Sequence, residues 1–573
     1  MEPPRKRPRA ARACEWCRAK KYRCNELDPC SRCIRAGLAC VYKDADSFRQ
    51  RLTSEAPARP LDLPAEPVPQ PVTTTATQPD IVGLHRSVDD QTGEVVEINP
   101  HTQSAEFHGK TSSLAFLSSL LLPSGASGSK DLRPQALVST LHNDSFSPQA
   151  GLDDGDLTLQ DTKFFFRQSQ RFLEGFFQNI HFIHPFIDQS AFYARCESLW
   201  FGNEQQTRGF LALYFAVMSL GALTREWSED RIDGLTRWDW SRKLFRLASL
   251  ALGTLPLQID LETVQASIIM AKVCQNELNP SFAYAYLGQA VRTSLSAGYN
   301  RNSDSNMAIR KTWWALYSVE IEMSFSLGRP DSLGADFYHN CALPPIEHNE
   351  TAVITPMVDL ARIIRKVAGC VYQKEITIDQ RMDLASQLAA ELDSWITGLP
   401  EAIKPRLDEP TEDLGVQKDP MWAKKQRHTL RFRYYNITMV LYRPFLQYTT
   451  HYSGSSESLE QALSKCVAAA RSTIRLMHHM YSTASYFKTW FYNVTYLLYA
   501  ASIILAYRTR LAPRDARAEL LQLIRMSVKI LRAMDENIVA KKAADLLQAA
   551  SDQVRGHMMP RLLWSPVTCC WSR

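Results

Sequence analysis

From about residue 164 to near the end of the chain, apolar and aromatic side chains recur every three to four residues. This spacing places them on one face of an α-helix, so each stripe predicts an amphipathic helix with one buried side. The clearest stripes are Leu384, Leu388, Leu392 and Trp395; Phe432, Tyr435, Met439 and Tyr442; Leu463, Val467, Ala470, Ile474 and Met477; and Leu521, Ile524, Val528 and Leu531. Alternating β-branched runs are few, so the pattern predicts a large all-α body in which strands are minor.

Two stretches of this body are apolar on nearly every side. Residues 211–223 are predicted to form a central helix, because a helix without a polar face must be surrounded by other elements. The longest apolar run, residues 491–507, is interrupted by polar side chains and falls short of the roughly 20 residues that span a bilayer. It therefore predicts a buried helix and no membrane partner. Prolines among mixed charges at residues 404–420 predict a loop that divides the body.

The composition changes on the N-terminal side of the body. Residues 53–80 contain seven prolines and no aromatic residue, so they offer too little apolar surface to offset the entropy of ordering. We expect residues 44–160 to be mostly a disordered, proline-rich linker. Within them, the sequence from His108 to Thr111 ends like a phosphate-binding loop. Ser104 replaces the first glycine of that motif and no strand is predicted before it, so a nucleotide site is not expected.

The formal charge of +6 is concentrated at the N-terminal end. Residues 1–43 hold twelve Lys and Arg against four Asp and Glu, whereas the rest of the chain holds 54 against 56. Clustered cations neutralise phosphates and release counterions, so this segment favours a polyanionic partner, with nucleic acid first. Its first four basic residues are predicted to be a nuclear import signal or additional phosphate contacts. They are Arg5, Lys6, Arg7 and Arg9.

Six cysteines follow with the spacing C-x2-C-x6-C-x5-C-x2-C-x6-C, so the second three repeat the first three. They are Cys14, Cys17, Cys24, Cys30, Cys33 and Cys40. The N-terminus lacks the apolar stretch of a secretory signal, so we expect thiolates rather than disulfides. A tetrahedral zinc ion takes four ligands, and six thiolates satisfy two ions only if two sulfurs are shared. The spacing therefore predicts two Zn²⁺ ions in a closed cluster with no open position for catalysis.

The residues around these cysteines, Ala13–Cys24 and Pro29–Cys33, resemble the fungal zinc binuclear cluster (Zn2Cys6) transcription factors. The resemblance spans the whole basic segment. It implies that the first and fourth cysteines of the pattern, Cys14 and Cys30, bridge the two metal ions. It also implies that the helix beginning at Cys17 directs its C-terminal end into the major groove of double-stranded DNA.

Four basic residues on that helix are the predicted DNA contacts. The resemblance places Lys20 and Lys21 at the base edges, and Arg18 and Arg23 are expected to contact phosphates. Guanine presents two adjacent acceptors, O6 and N7, in the major groove, which suits lysine. Members of the family commonly bind CGG triplets, and CGG-type sites are therefore expected here.

Parts of the helical body resemble the fungal-specific transcription factor domain. The resemblance lies in Phe182–Phe186, in Arg310–Tyr317 and in Leu327–Pro330, and it covers roughly residues 160 to 400. Tyr442–Phe445 resembles a later part of the same region. The resemblance implies a regulatory role for the body, through the transcription machinery or co-regulators. No heptad repeat follows the cysteines, so monomeric binding and dimerisation through the body both stay open.

Other polar residues of the body have two interpretations. His181 and His184 lie three residues apart, but beside Phe and Pro they are expected to be core histidines rather than metal ligands. Glu320 and Glu322, within an apolar helix, are expected to pair with an arginine or face solvent, and a role in sensing a ligand is the alternative. Most cysteines outside the cluster pattern are expected to fill the core. They are Cys196, Cys274, Cys341, Cys370, Cys466, Cys569 and Cys570.

Together these features predict a nuclear, zinc-dependent regulator of RNA polymerase II promoters that binds specific DNA and is not an enzyme. The alternative is an adaptor whose zinc module binds protein or RNA. A randomised-site selection separates the two, since an adaptor would show no preference for a DNA triplet. The predicted regions are a zinc domain with a basic arm at residues 1–43, the linker at 44–160, an all-α domain at 161–403 and a further all-α part at 404–573.

Overall fold

The structure is a computed structural model of the chain. It describes residues 15–20, 30–36, 94–99, 101, 104–121, 137, 141–147, 165–202, 206–253, 259–301, 306–407, 419–448 and 457–558. The chain divides into two compact units, residues 1–79 and residues 80–573.

In the first unit the described residues form two short helices, α1 (Glu15–Ala19) and α2 (Ser31–Ala36). Each helix is closed by an ordinary helical hydrogen bond, from the Lys20 amide to the Trp16 carbonyl and from the Ile34 amide to the Cys30 carbonyl. Such short helices bury little apolar surface, so other interactions must hold the unit together.

The second unit begins with a β-hairpin and a helix. Strand β1 (Val95–Asn99) pairs in antiparallel register with β2 (Ser104–His108), with Val95 opposite His108. Helix α3 (Ser113–Leu121) follows directly. The hairpin agrees with the prediction that strands are minor.

The rest of the second unit is helical. Up to residue 327 its helices are α4 (Phe166–Asn179), α5 (Gln189–Phe201), α6 (Arg208–Thr224), α7 (Arg237–Leu252), α8 (Leu261–Asn276), α9 (Pro280–Ser296) and α10 (Met307–Leu327). They are followed by α11 (Ile354–Val367), α12 (Ile378–Thr397), α13 (Met421–Tyr448), α14 (Glu457–Thr483), α15 (Ser485–Lys488), α16 (Asn493–Arg510), α17 (Arg517–Ala533) and α18 (Ile538–Met558). The prediction of a large helical body is confirmed.

Helix α6 lies at the centre of the first half of this body. It packs against α4, α7 and α8, and nearly all of its residues are buried, as its all-apolar sequence predicts. The Thr207 side chain accepts a hydrogen bond from the Phe210 amide and so defines where the helix begins. Gly221 allows close approach to α4, because a Cβ at that position would lie 1.9 Å from the Phe172 carbonyl oxygen.

The predicted apolar stripes lie on the buried faces of α12, α13, α14 and α17. The apolar run at residues 491–507 falls within the buried helix α16. Helix α13 continues through Pro444 to Tyr448. Among the helices that the structure describes, no helix combines the length and the apolar character needed to cross a membrane. Most of the loop predicted at 404–420 lies outside the described residues.

Inside the range predicted as a linker, residues 104–121 are folded onto the body; we call them the anchor segment. The Gly109 amide donates to the Leu327 carbonyl at 2.9 Å, and Arg329 Nε donates to the Phe107 carbonyl at 2.9 Å. Arg443 Nη1 donates to the Ser112 carbonyl at 3.1 Å. The prediction for residues 44–160 missed this segment, because its partners lie more than 200 residues away in sequence.

Candidate metal centre and nucleic-acid interface

Three of the six predicted zinc ligands lie together in the first unit. Cys17 is on α1, Cys30 directly precedes α2, and Cys33 lies in the first turn of α2. Their Sγ atoms all lie within 4.8 Å of one another, and the three residues have no exposed surface. The fold of the two helices therefore brings thiols from both halves of the repeat to one point.

The distances suit a zinc–thiolate centre. The Sγ atoms of Cys17 and Cys30 are 3.7 Å apart, whereas two thiolates on one tetrahedral ion with Zn–S bonds of about 2.3 Å are about 3.8 Å apart. A disulfide would bring the sulfurs to about 2.05 Å, so the Cys17–Cys30 separation excludes a disulfide between them. Cys30 also accepts a hydrogen bond on Sγ from the Cys33 amide at 3.4 Å. Cys30 thus contacts a ligand from each half of the repeat.

Several predicted site residues lie outside the described residues. They are Cys14, Cys24 and Cys40 of the cysteine pattern, the predicted DNA contacts Lys21 and Arg23, and Arg5, Lys6, Arg7 and Arg9 of the predicted arm. Arg18 is on α1, but its side chain is also outside the described part. Lys20 is described: it follows the last residue of α1 and is exposed. The DNA contacts predicted for these residues stay a prediction.

Two protein families match this chain. The fungal Zn(2)-Cys(6) binuclear cluster domain matches residues 12–48, and the fungal specific transcription factor domain matches residues 173–397. The chain therefore belongs to the fungal zinc binuclear cluster transcription factors that carry a fungal-specific transcription factor domain.

The matching relatives bear names of the same kind. The "Terreic acid cluster-specific transcription factor atF" of Aspergillus terreus is 23% identical, over 88% of this chain and 88% of the relative. The "Activator of stress genes 1" of Saccharomyces cerevisiae is 20% identical, over 95% of this chain and 67% of the relative. A solved structure, "Structure of the K. lactis CBF3 core", is similar with a TM-score of 0.46 and 12% identity over 73% of this chain and 93% of that chain.

Membership of this family identifies the first unit as a zinc-binding module and the protein as a DNA-binding regulator of transcription. The members are transcription factors rather than enzymes, as the sequence predicted. The buried thiols of Cys17, Cys30 and Cys33 fit the metal that the family binds.

The body residues singled out from the sequence have defined surroundings. Glu322 forms an ion pair with Arg433 at 2.9 Å, and the Glu320 carboxylate accepts a hydrogen bond from the Ser332 amide at 2.9 Å. His181 and His184 are buried, as expected for core histidines. Burial raises the pKa of the Cys196 and Cys466 thiols to about 12, which suits core filling. Cys569 and Cys570 lie outside the described residues.

The residues from His108 to Thr111 belong to the anchor segment. The Gly109 amide is used in a hydrogen bond to the body, and the Thr111 hydroxyl donates to the Phe325 carbonyl. A phosphate-binding loop needs such groups directed at its ligand. The structure thus explains these residues as a contact between the anchor segment and α10.

Proposed function

We propose that the chain is a nuclear regulator of RNA polymerase II promoters that reads CGG-type triplets with Lys20 and Lys21. The observation that carries this proposal is the position of the exposed Lys20 at the end of a helix whose Cys17 lies in the thiol cluster. Metal ligation fixes that helix, so it can present its basic end rigidly to a groove. Arg18 and Arg23 then contact phosphates, and the arm of Arg5, Lys6, Arg7 and Arg9 serves nuclear import or adds phosphate contacts.

The proposal includes two zinc ions per chain, held by Cys14, Cys17, Cys24, Cys30, Cys33 and Cys40. Cys14 and Cys30 are the bridging ligands. The position of Cys30 supports its proposed role as a bridging ligand, because its sulfur lies 3.7 Å from Cys17 Sγ and accepts a hydrogen bond from the Cys33 amide. Metal analysis of purified protein should give two zinc ions per chain, and a single ion would contradict the bridged arrangement.

We further propose that the helical body, residues 161–403 with 404–573, is one regulatory region that contacts co-regulators or the transcription machinery. It would also supply any homodimer contact. Random-site selection with the full-length protein tests whether the chain binds as a homodimer. Two CGG half-sites at fixed spacing would indicate a dimer, and one half-site would indicate a monomer.

Substitution of Lys20 tests the base contact. We expect Lys20→Ala to weaken binding to the selected site by about 1–3 kcal/mol and to relax its triplet preference, since a base contact is lost. The measurement is binding to the selected site and to sites with single changes in the triplet, at fixed salt concentration.

The matched control is Arg35→Ala. Arg35 is exposed in the last turn of α2 and carries the same charge, so its removal reproduces the general electrostatic loss. We expect that control to keep the triplet preference. If Lys20→Ala weakens all sites equally, Lys20 contacts phosphate and the proposed reading is wrong.

A further inference from the structure

A cavity of about 80 Å³ lies inside the helical body. One water molecule needs about 10–15 Å³ on this measure, so the cavity has room for several waters or for a small molecule. Its lining comes from widely separated parts of the body: the turn at residues 180–186, α8, α10, α13 and residues 487–496. A ligand there would contact elements from both ends of the body.

Much of the wall is aromatic. Phe182 and Phe186 come from the turn, Phe432 from α13, and Trp490 and Tyr492 from the segment that leads into α16. Rings of this kind offer rigid apolar surface that packs against a ring or a short hydrocarbon chain. The cavity therefore suits a ligand with an apolar part.

The wall contains more positively charged side chains than negatively charged ones. Glu322 is matched, because it accepts from Arg433 Nη2 at 2.9 Å and from the Tyr496 hydroxyl at 3.4 Å. Lys272 also lines the cavity, and its ammonium is bonded to one neutral group, Gln275 Oε1, at 3.2 Å. Two cations thus face one carboxylate, which leaves one positive charge without a counterion.

Three further polar atoms of the wall have no hydrogen-bond partner in the structure. They are Arg433 Nε, His184 Nε2 and His181 Nδ1, all with almost no accessible surface, and the last lies 3.5 Å from a Glu350 carboxylate oxygen. A buried polar atom without a partner costs free energy, so native proteins rarely keep one except where a ligand, an ion or water completes it. The residues that carry these atoms line the same cavity as Lys272.

Burial lowers the pKa of Lys272 to about 8, even though Glu322 favours its charged form. The ammonium is therefore still mostly charged at neutral pH. Burial alone would raise the pKa of Glu322, but Arg433 and Lys272 together lower it, so this carboxyl is ionised. Burial also holds the pKa of His184 well below its usual value, with Lys272 and Arg433 acting in the same direction. The excess charge of the cavity is thus positive.

We propose that this cavity binds a small organic acid anion, with its carboxylate on Lys272 and the Nε–H of Arg433 and its apolar part against the aromatic wall. The carboxylate supplies the missing negative charge and accepts from donors that are otherwise unused. The proposal concerns the helical body alone and does not rest on the DNA preference proposed above. It gives the body a ligand that nothing in its family membership specifies.

Benzoate is a suitable probe, because it joins one carboxylate to one ring. Benzamide is the matched neutral probe, since it keeps the ring and the shape but carries no charge. Isothermal titration calorimetry of the full-length protein without DNA should give saturable binding of benzoate with a Kd below about 1 mM and at least about tenfold weaker binding of benzamide. Equal binding of the two probes, or no saturation with benzoate, would overturn the proposal.

Two lysine variants place the binding in this cavity. Lys272→Met should weaken benzoate binding by at least about tenfold, because the main cation of the site is lost. Lys366→Met is the control: its ammonium pairs with the Glu391 carboxylate at 2.6 Å on the surface, and Lys366 is not part of the cavity wall. Equal losses in both variants would overturn the proposal. The comparison of benzoate with benzamide on the unsubstituted protein decides the question even if a variant does not fold.

Discussion

At the scale of single residues, the body contains a carboxylate that depends on one arginine. Glu277 has no exposed surface, and its two oxygens accept from Arg242 Nε and Nη2 at 3.0 Å each. Asn143 Nδ2 donates to Glu277 Oε2 at 2.8 Å. Burial raises the pKa of Glu277 although Arg242 and Asn143 act to lower it. The geometry nevertheless gives both carboxyl oxygens donors, and Arg242 supplies the counterion.

Removal of the arginine should be costly. We expect Arg242→Met to lower the free energy of unfolding of the body by about 3–5 kcal/mol, because it leaves the buried carboxylate without its counterion. The measurement is urea unfolding followed by circular dichroism. Lys366→Met is the control, since its 2.6 Å ion pair with Glu391 is exposed, and it should change the free energy by about 1 kcal/mol or less. Similar losses in the two variants would contradict this interpretation of Glu277.

His428 should make the body sensitive to acid. Burial, reinforced by Arg431 and Arg427, lowers its pKa to about 4, whereas an unfolded histidine has a pKa near about 6.5. Between these values the unfolded state binds the extra proton, so stability is lost as the pH falls. This one group contributes a slope of at most about 1.4 kcal/mol per pH unit.

The slope of stability against pH between about 4 and 6.5 is the measurement. We expect it to be smaller in His428→Asn than in the unsubstituted protein. The control is His348→Asn, because His348 is exposed and its replacement should leave the slope unchanged. An unchanged slope in His428→Asn would show that this histidine is not the acid-sensitive group.

Residues differ in how far their roles can be predicted from sequence. The cysteine ligands are detectable because their spacing is local and repeats, and Cys17, Cys30 and Cys33 are indeed brought together. The residues of the cavity have no such pattern. Lys272 lies in α8 and Arg433 in α13, so only the folded chain shows that they face the same space.

At the scale of helices, close packing of α4 on α6 depends on Gly221. A Cβ there would lie 1.9 Å from the Phe172 carbonyl oxygen, and backbone cannot move aside without separating the helices. We expect Gly221→Ala to lower the free energy of unfolding by at least about 1–3 kcal/mol. The measurement is urea unfolding.

Gly288 provides the matched control, because it is also helical and a Cβ there meets nothing within 4 Å. We expect Gly288→Ala to stabilise the protein by about 0.4–1 kcal/mol, since alanine restricts the unfolded chain and favours helix. Destabilisation of equal size at both positions would show that the contact with Phe172 is not the cause.

The difference between local sequence patterns and contacts between distant residues also explains which elements could be predicted from the sequence. The apolar stripes of α12 and α14 are local patterns with the helical period, so the helices could be predicted directly. The anchor segment could not, because it is short and its contacts come from Arg329 and Arg443. Its hairpin also lies beside a proline-rich stretch whose composition suggests disorder.

At the scale of the whole molecule, the two units should respond differently to loss of metal. The two described helices of the first unit bury too little apolar surface to fold alone, whereas the second unit has an extensive hydrophobic core. Of the residues that the structure describes, only Cys17, Cys30 and Cys33 form a group that could hold a metal ion.

Chelation of zinc should therefore abolish DNA binding while the thermal unfolding transition of the body stays unchanged. Calorimetry and DNA binding before and after chelation, with zinc added back as the control, provide the measurement. A lower transition temperature of the body after chelation would mean that its stability also depends on metal.

The anchor segment has a practical consequence for dissecting this protein. A fragment starting at residue 173, where the family similarity begins, would remove the Gly109 amide that donates to the Leu327 carbonyl and the Thr111 hydroxyl that donates to the Phe325 carbonyl. It would also uncover the apolar surface that Phe116 and Leu117 now cover in the core. Such a truncation would tend to aggregate, and a soluble recombinant body should start no later than residue 94.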